Sequence, residues 1–457
     1  MSNLHAISVT KGNADTLFVP ISLFRKWYNN QSFPTKLKYG HRLHDVHVQP
    51  HPDQKELYMV TESLRENLAL LENQSHHIYE QNGIIHVGPV VGIYTAGFTN
   101  HLQQPFGERS KMFAKMLIHA RKQGVTCYVF GSNHINWDRQ EVYGYLYKKT
   151  GWVRSTLPLP NIIYDRLPNR KIEALPSTVE TNLKLQAMEN LLWFNPGFFD
   201  KWTVYDYLMK DRTIQKYLPE SLFSPDYKSI ERMLNRYKNV YVKPSSGSLG
   251  NGIQQILRRK NDPYYYIRFR HEDCNRLRRY SSLKRLLHKQ FPNGLKGYIA
   301  QQGIHLVNCN GNAIDFRVHT NRGRNGDWEV SAIAAKLAGT GSITTHITSG
   351  GKTLTLSEII HDLGQSQKIV QEIKTAALLL SEALSSRHDE LIGEIGFDIG
   401  IDEKGSVWLF EANSKPGRSI FQHPNMNAYD RKTLSLPFAF SIYLFEQNVL
   451  NQVAVKQ

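Results

Sequence analysis

Two carboxylates and an amide stand out for their chemistry. Asp398, Glu411 and Asn413 lie on two alternating stretches that flank Glu403-Lys404-Gly405-Ser406. A two-residue turn at Lys404-Gly405 would close these stretches into a hairpin. In that register Asp398 faces Glu411, and Asn413 shares their side of the sheet. Facing Cβ atoms lie about 5 Å apart, near enough for the three oxygen-bearing side chains to grip a hard cation together with phosphate and water. Magnesium with nucleotide phosphates is the expected occupant. Taken alone, the three residues also suit the solvent-facing side of an ordinary hairpin.

A second cluster lies upstream. Val240-Tyr241-Val242-Lys243 reads as a strand running into a loop, residues 244–252, that contains Ser246, Gly247, Gly250 and Gly252. Such a loop is small enough for its amides to approach phosphate oxygens, and Lys243 adds a point charge. It fits neither the dinucleotide fingerprint nor the Walker A pattern, and by itself it could be a flexible turn. Gly350-Gly351-Lys352-Thr353 mimics the end of a Walker A loop, but the first glycine would fall at His346, so that match is rejected.

The elements that must position these groups follow from periodicity. Residues 1–85 read as a small β-rich module, with strands near 18–21, 45–48 and 57–60. Residues 86–195 read as an α/β module: strands at 90–94, 125–130 and 161–165, and a helix over 107–123 whose Met112, Phe113, Met116, Leu117 and Ala120 form one core face. Gly124 ends that helix. Residues 196–457 follow an α+β order. Helices are expected at 203–217, 226–238 and 357–386. Strands are expected at 240–243, 252–257, 264–269, 297–306, 312–320 and 327–338, and a hairpin at 392–412.

Composition narrows the class. A chain of 457 residues with 40% hydrophobic and 21% charged residues folds into several domains without staples. Its three cysteines, Cys127, Cys274 and Cys309, exclude a disulfide scaffold and a four-thiolate zinc site, fit a reducing, cytoplasmic compartment, and read as buried small apolar residues. The most apolar stretch, 434–445, is short and broken by Pro437, so no membrane insertion is expected, and the first ten residues show no secretory signal. A net charge of +16 favours anionic partners.

The chain resembles ATP-grasp enzymes, and specifically the YheC/YheD family of endospore coat-associated proteins. The resemblance runs from about Val90 to Phe421. Asp165-Arg166 resembles the end of a pre-ATP-grasp module; Asp200-Lys201 with Leu218-Pro219-Glu220-Ser221 resembles the first nucleotide-binding segment. Lys243 with its loop is similar to the phosphate-covering hairpin, and Tyr298 to Ile304 to the strand and hinge against which adenine packs. Asp315-Phe316-Arg317, Lys336 and Ser349-Gly350-Gly351 resemble the segment near the γ-phosphate and acceptor. Gly396-Phe397-Asp398 and the run from Phe410 to Gly417 resemble the metal hairpin.

The resemblance implies an ATP-grasp fold with nucleotide and magnesium between two lobes, preceded by the pre-ATP-grasp and β-rich modules. It implies ATP contacts from Lys201, Lys243, Ser246, Gly247, Gly250, Gly252, Gln301, Gln302 and Ile304, metal ligation by Asp398, Glu411 and Asn413, and phosphoryl-transfer roles for Arg317 and Lys336. The implied activity is carboxylate-amine (or thiol) ligation through an acylphosphate, on a spore-coat or cell-wall related substrate. The alternative is a non-catalytic coat scaffold that binds nucleotide or a polyanion, with coat proteins or an anionic polymer as partners. Two positions depart from superfamily habit: His346 stands where asparagine is common, and Gly396 where some ligases carry arginine.

Two further signals bear on binding. His41, His44, His47 and His51 mix strand and turn spacings and read as surface or strand-face histidines. Residues 258–296 hold 12 lysines and arginines against 3 acidic residues, more than half of the net charge. Arg276, Arg278, Arg279, Lys284 and Arg285 could contact nucleic acid or an anionic polymer beside Tyr264, Tyr265 and Tyr266, or form a solvated face.

Overall fold

The computed structural model describes residues 4–450, apart from 73, 248–249, 272–273, 310, 340–341, 343–349 and 360–365. The described residues form four sheets. The first has eight strands, all from residues 4–88, with two short helices the sequence reading did not anticipate, Ile21–Asn29 and Glu62–Leu68. Ile21 is helical rather than the end of a strand. Pro20 sets the entry, and Trp27 turns into the core while Arg25 and Lys26 stay outside.

The second sheet is centred on Val90–Tyr94, flanked in parallel by Thr126–Phe130 and Ile162–Asp165. The helix Ser110–Lys122 buries Phe113, Met116, Leu117 and Ala120 against it, and Gly124 at φ +73 redirects the chain into the next strand. An antiparallel hairpin, Glu141–Lys148 with Gly151–Pro158, extends this sheet and was not foreseen. Its buried Val142, Gly144 and Leu146 alternate with tyrosines, so a period of two was present but apolar on both faces. The last helix, Asn427–Leu450, closes this core: Leu434, Phe438 and Phe445 share a cluster with Val91 and Phe113. No described helix is long and apolar enough to cross a membrane.

The third and fourth sheets hold the chemistry. In the third, Asn239–Pro244, Gln254–Arg258, Tyr265–His271 and Tyr298–Gln302 put Val240, Val242, Ile256, Ile267 and Ala300 into one core with Ile230 and Leu234 of the helix Tyr227–Tyr237. The strand period of two therefore turns Tyr241, Lys243, Gln255, Arg268 and Gln301 to the other side. In the fourth, Asn312–Arg322, Trp328–Leu337, Glu394–Ile401 and Val407–Asn413 bury Phe316, Val318, Phe397 and Ile399 with Ile373 and Leu380 of the helix Ser366–Ser385. Asp315, Arg317 and Asp398 face away from that core. Each sheet is greasy toward its helices and polar toward the cleft between them.

A buried joint ties the Glu394–Ile401 strand to the second sheet. Asn195, held at φ 56, donates to the carbonyls of Glu394 (2.7 Å) and Ser414 (2.6 Å) and accepts from the amides of Gly393 (2.8 Å) and Glu394 (3.0 Å). Arg166 and Tyr164 both donate to the Glu394 carboxylate. Lys415 Nζ reaches Asp165 at 2.7 Å and lies 4.5 Å from the Phe198 ring centre.

Candidate functional site

Asp398 pairs with Glu411, and Gly396 with Asn413, as the hairpin reading expects. The route to that register differs. The turn is a three-residue loop, Glu403 to Gly405, with Gly405 at φ +85 and the Asp402 amide donating to the Ser406 carbonyl. That extra residue shifts the pairing near the turn by one, so Ile401 faces Val407. A bulge at Phe410 shifts it back before the carboxylates are reached. Two single-residue departures cancel. The bulge also leaves the Phe410 carbonyl to accept from Lys243 Nζ at 3.1 Å. Its ring lies where a Cβ on Gly400 would sit, 2.5 Å away.

Charges alternate across the cleft. Arg317 clasps Asp398 through Nε and Nη2, both at 3.0 Å. Lys336 Nζ reaches Asp398 at 2.7 Å and Asp315 at 3.1 Å. Burial opposes the ammonium of Lys336, yet Asp315 and Asp398 outweigh it and hold the group above its ordinary range. Lys201 lies 3.1 Å from Glu411 and also donates to the Gly247 carbonyl, tying the loop after Lys243 to the hairpin that carries Glu411. Lys243 donates to Gln301 Oε1 at 2.9 Å. Its burial, only partly offset by Glu411 and Asp398, pushes its ammonium down to about 8.

Lys243, Gln301, Asp315, Lys336, Asp398 and Glu411 border one cavity of about 330 Å³. Among the residues singled out from sequence, Lys243, Gln301, Gln302, Ile304, Asp315, Lys336, Asp398 and Glu411 line it, and Lys201 lines a smaller neighbouring pocket with Lys243 and Glu411. Arg317, Asn413, Ser246, Gly247, Gly250 and Gly252 are not among the lining residues. Arg317 touches the site through Asp398, and Gly247 through Lys201. Ser349 and His346 lie outside the described residues. Sequence reasoning passed over Asn239, Tyr241, Gln255, Arg268 and His305, which also line the cavity. Carrying the two-residue period back from Lys243 would have found Tyr241 and Asn239.

Two discounted signals also find their places. Cys127 and Cys309 are buried, but Cys274 is exposed, because its strand lies at a sheet edge. His44 contacts Asp15 at 2.6 Å, and His51 is buried.

The donor set fits a polyphosphate with magnesium. Among the described residues, no three histidine, cysteine or acidic side chains converge to hold a metal by themselves. Asp398 and Glu411 would supply two oxygen ligands, and a cation there would complete its shell from phosphate and water, as magnesium ordinarily does. Lys201, Lys243 and Lys336 carry the opposite charge that phosphate oxygens require.

A family model described as YheC/D like ATP-grasp matches residues 190–444, which contain both sheets of the cleft. The chain belongs to this ATP-grasp family. It is 37% identical to the endospore coat-associated protein YheD of Bacillus subtilis (strain 168) over 457 residues, 98% of each chain. It is also 23% identical to the endospore coat-associated protein YheC of the same organism, over 71% of this chain and 89% of that one. Among solved structures, it is similar to a D-alanine–D-alanine ligase from Bacillus anthracis, with a TM-score of 0.46 and 10% identity over 79% of this chain and 99% of that one. ATP-grasp proteins generally bind ATP and magnesium.

Proposed function

We propose that this ATP-grasp protein is an ATP- and magnesium-dependent carboxylate-amine (or thiol) ligase that works through an acylphosphate. The carrying observation is that Asp398 and Glu411 face each other beside Lys336 and Lys243 on the wall of one cavity. The reading keeps three units, 1–85, 86–195 and 196–457, with the last forming two lobes around the nucleotide.

Lys243 and Lys201 bind the nucleotide phosphates, and the loop with Ser246, Gly247, Gly250 and Gly252 covers them. Gln301, Gln302 and Ile304 take the base. Asp398, Glu411 and Asn413 hold magnesium, which when bound would neutralise phosphate charge and orient the transferring group. Lys336 and Arg317 stabilise the charge spread over that group, so positioning and electrostatics carry the reaction and no side-chain nucleophile is needed. The two Bacillus subtilis relatives are named endospore coat-associated, which supports a spore-coat related substrate; a cell-wall related substrate and a cytoplasmic place of action belong to the same proposal.

The test is trapping. Purified protein with ATP, magnesium and hydroxylamine is given a panel of amino acids, peptides and cell-wall precursors. A hydroxamate should form with the true acid and disappear in Lys336→Ala. ATP and magnesium binding without hydroxamate or new amide would favour a coat scaffold. One observation already favours that second reading: both carboxylates are matched internally, Asp398 by Arg317 and Lys336, and Glu411 by Lys201. Phosphate recovered on a hydroxyl would instead mark a kinase.

A further inference from the structure

Among the described residues, the sheet that carries Lys243 ends in the strand Cys274–Tyr280, which pairs only with Tyr265–His271. Six of its seven residues are exposed, and among the described residues no strand pairs with its outer side. An edge of this length, with no proline, presents a row of backbone donors and acceptors to another chain.

Its side chains specify what that chain would carry. By register, Arg276 and Arg278 stand with Phe269 and Ile267 on the helix-covered side, and Arg279 stands with Tyr266 on the cleft side. Arg278 lies 5.0 Å from the Phe269 ring centre and Arg279 4.3 Å from that of Tyr264. Stacking of this kind orients a guanidinium while leaving its edge free to fork onto a carboxylate. Among the described residues, none of these three arginines forms an ion pair with a carboxylate. Leu277, 57% exposed, sits between them and offers apolar contact.

We propose that Cys274–Tyr280 is a docking strand for an extended acidic peptide segment of a partner protein. The segment adds as a further strand: main-chain hydrogen bonds supply affinity, and its carboxylates meet Arg276, Arg278 and Arg279. A nucleic acid would use the same charge but has no backbone to complete the sheet, so the open edge favours a peptide. Alternate acidic residues suit the side chains on one face of a strand. This inference stands apart from the ligase reading, and its test reads no turnover.

The probes are labelled poly-L-glutamate and poly-D-glutamate of about 20 residues and duplex DNA of equal charge, each titrated into the full-length protein. The L-peptide should bind, and the D-peptide should bind about tenfold more weakly or worse, because its strand twist has the wrong hand. Alkylation of Cys274, whose thiol is exposed while Cys127 and Cys309 are buried, should slow in the presence of the L-peptide. Arg276→Glu with Arg278→Glu and Arg279→Glu should weaken binding about tenfold or more, with ATP binding intact. Equal affinity for L and D peptides, or tighter binding of DNA, would overturn the proposal in favour of a charge-only surface. No binding by protein that still binds ATP would leave the arginines as guards against self-pairing.

Discussion

Arg317 and Asp398 face one another on adjacent strands and meet through two parallel contacts of 3.0 Å. Both are buried or nearly so, and Lys336 completes the group from the third strand. A metal at Asp398 would compete with these two cations for the carboxylate's lone pairs, which would couple its binding to the packing of Arg317 and Lys336.

That coupling separates the two carboxylates by experiment. Asp398→Asn strips the counter-charge from Arg317 and leaves Lys336 with Asp315 alone, which should cost roughly 3 kcal/mol of unfolding free energy. Glu411 is partly exposed and, among the described residues, pairs with Lys201 alone, so Glu411→Gln should stay within about 1 kcal/mol of the parent. Both should lose magnesium-dependent ATP turnover. Urea unfolding of the two variants checks the order; equal losses would mean that the Arg317 fork contributes no stability.

Lys243 makes nucleotide binding pH-linked. Its folded-state ammonium titrates at about 8, below the ordinary 10.5. Between those values the unfolded chain binds the extra proton, so ligand-free stability should rise with pH through that window. Phosphate beside Lys243 would raise its pKa, and ATP binding at pH 8 should take up roughly half a proton. Calorimetry in two buffers of different ionisation heat measures this uptake, which Lys243→Met should remove. Heats independent of buffer would place the phosphates away from this amine.

Gly396, which departs from the arginine seen in some relatives of the fold, has a steric reason. A Cβ there would stand 2.4 Å from Cβ of Pro416 and 3.4 Å from Nη1 of Arg317. Gly396→Ala should cost about 1–3 kcal/mol through overpacking and weaken magnesium affinity as Arg317 shifts. A variant with unchanged stability would show that the Pro416 loop yields easily.

The legible parts of this site were those encoded locally. The two-residue period brought Asp398 opposite Glu411 from sequence alone, though only because the longer turn and the Phe410 bulge offset each other, and neither has a composition signal of its own. The strand Val90–Tyr94 and the helix ending at Gly124 were equally readable, since apolar spacing and a left-handed glycine mark them. What sequence could not show was pairing between distant segments. Arg268, an apparent member of a solvated basic stretch, turns into the cleft because its strand pairs it with Gln255. The Arg317 to Asp398 fork depends on the pairing of strands 81 residues apart.

Asn195 shows the same non-local dependence and gives the last prediction. It follows the strand Leu192–Phe194, yet its amide satisfies four backbone groups around Glu394 and Ser414, at the two ends of the hairpin that carries Asp398 and Glu411. Asparagine suits the position twice, because it tolerates a positive φ and offers both donor and acceptor at one end. Asn195→Ala would leave those buried groups without partners and should cost at least about 3 kcal/mol. Asn195→Gly relieves the backbone but restores no hydrogen bond, so it should recover only about 1 kcal/mol of that loss. Magnesium affinity should fall in both, since the hairpin that carries Asp398 and Glu411 loses its anchor. Unfolding and magnesium titration of the pair check this together. If Asn195→Gly regained full stability, the residue would be serving only its backbone angle, and the hairpin would take its position from Arg166 and Lys415 instead.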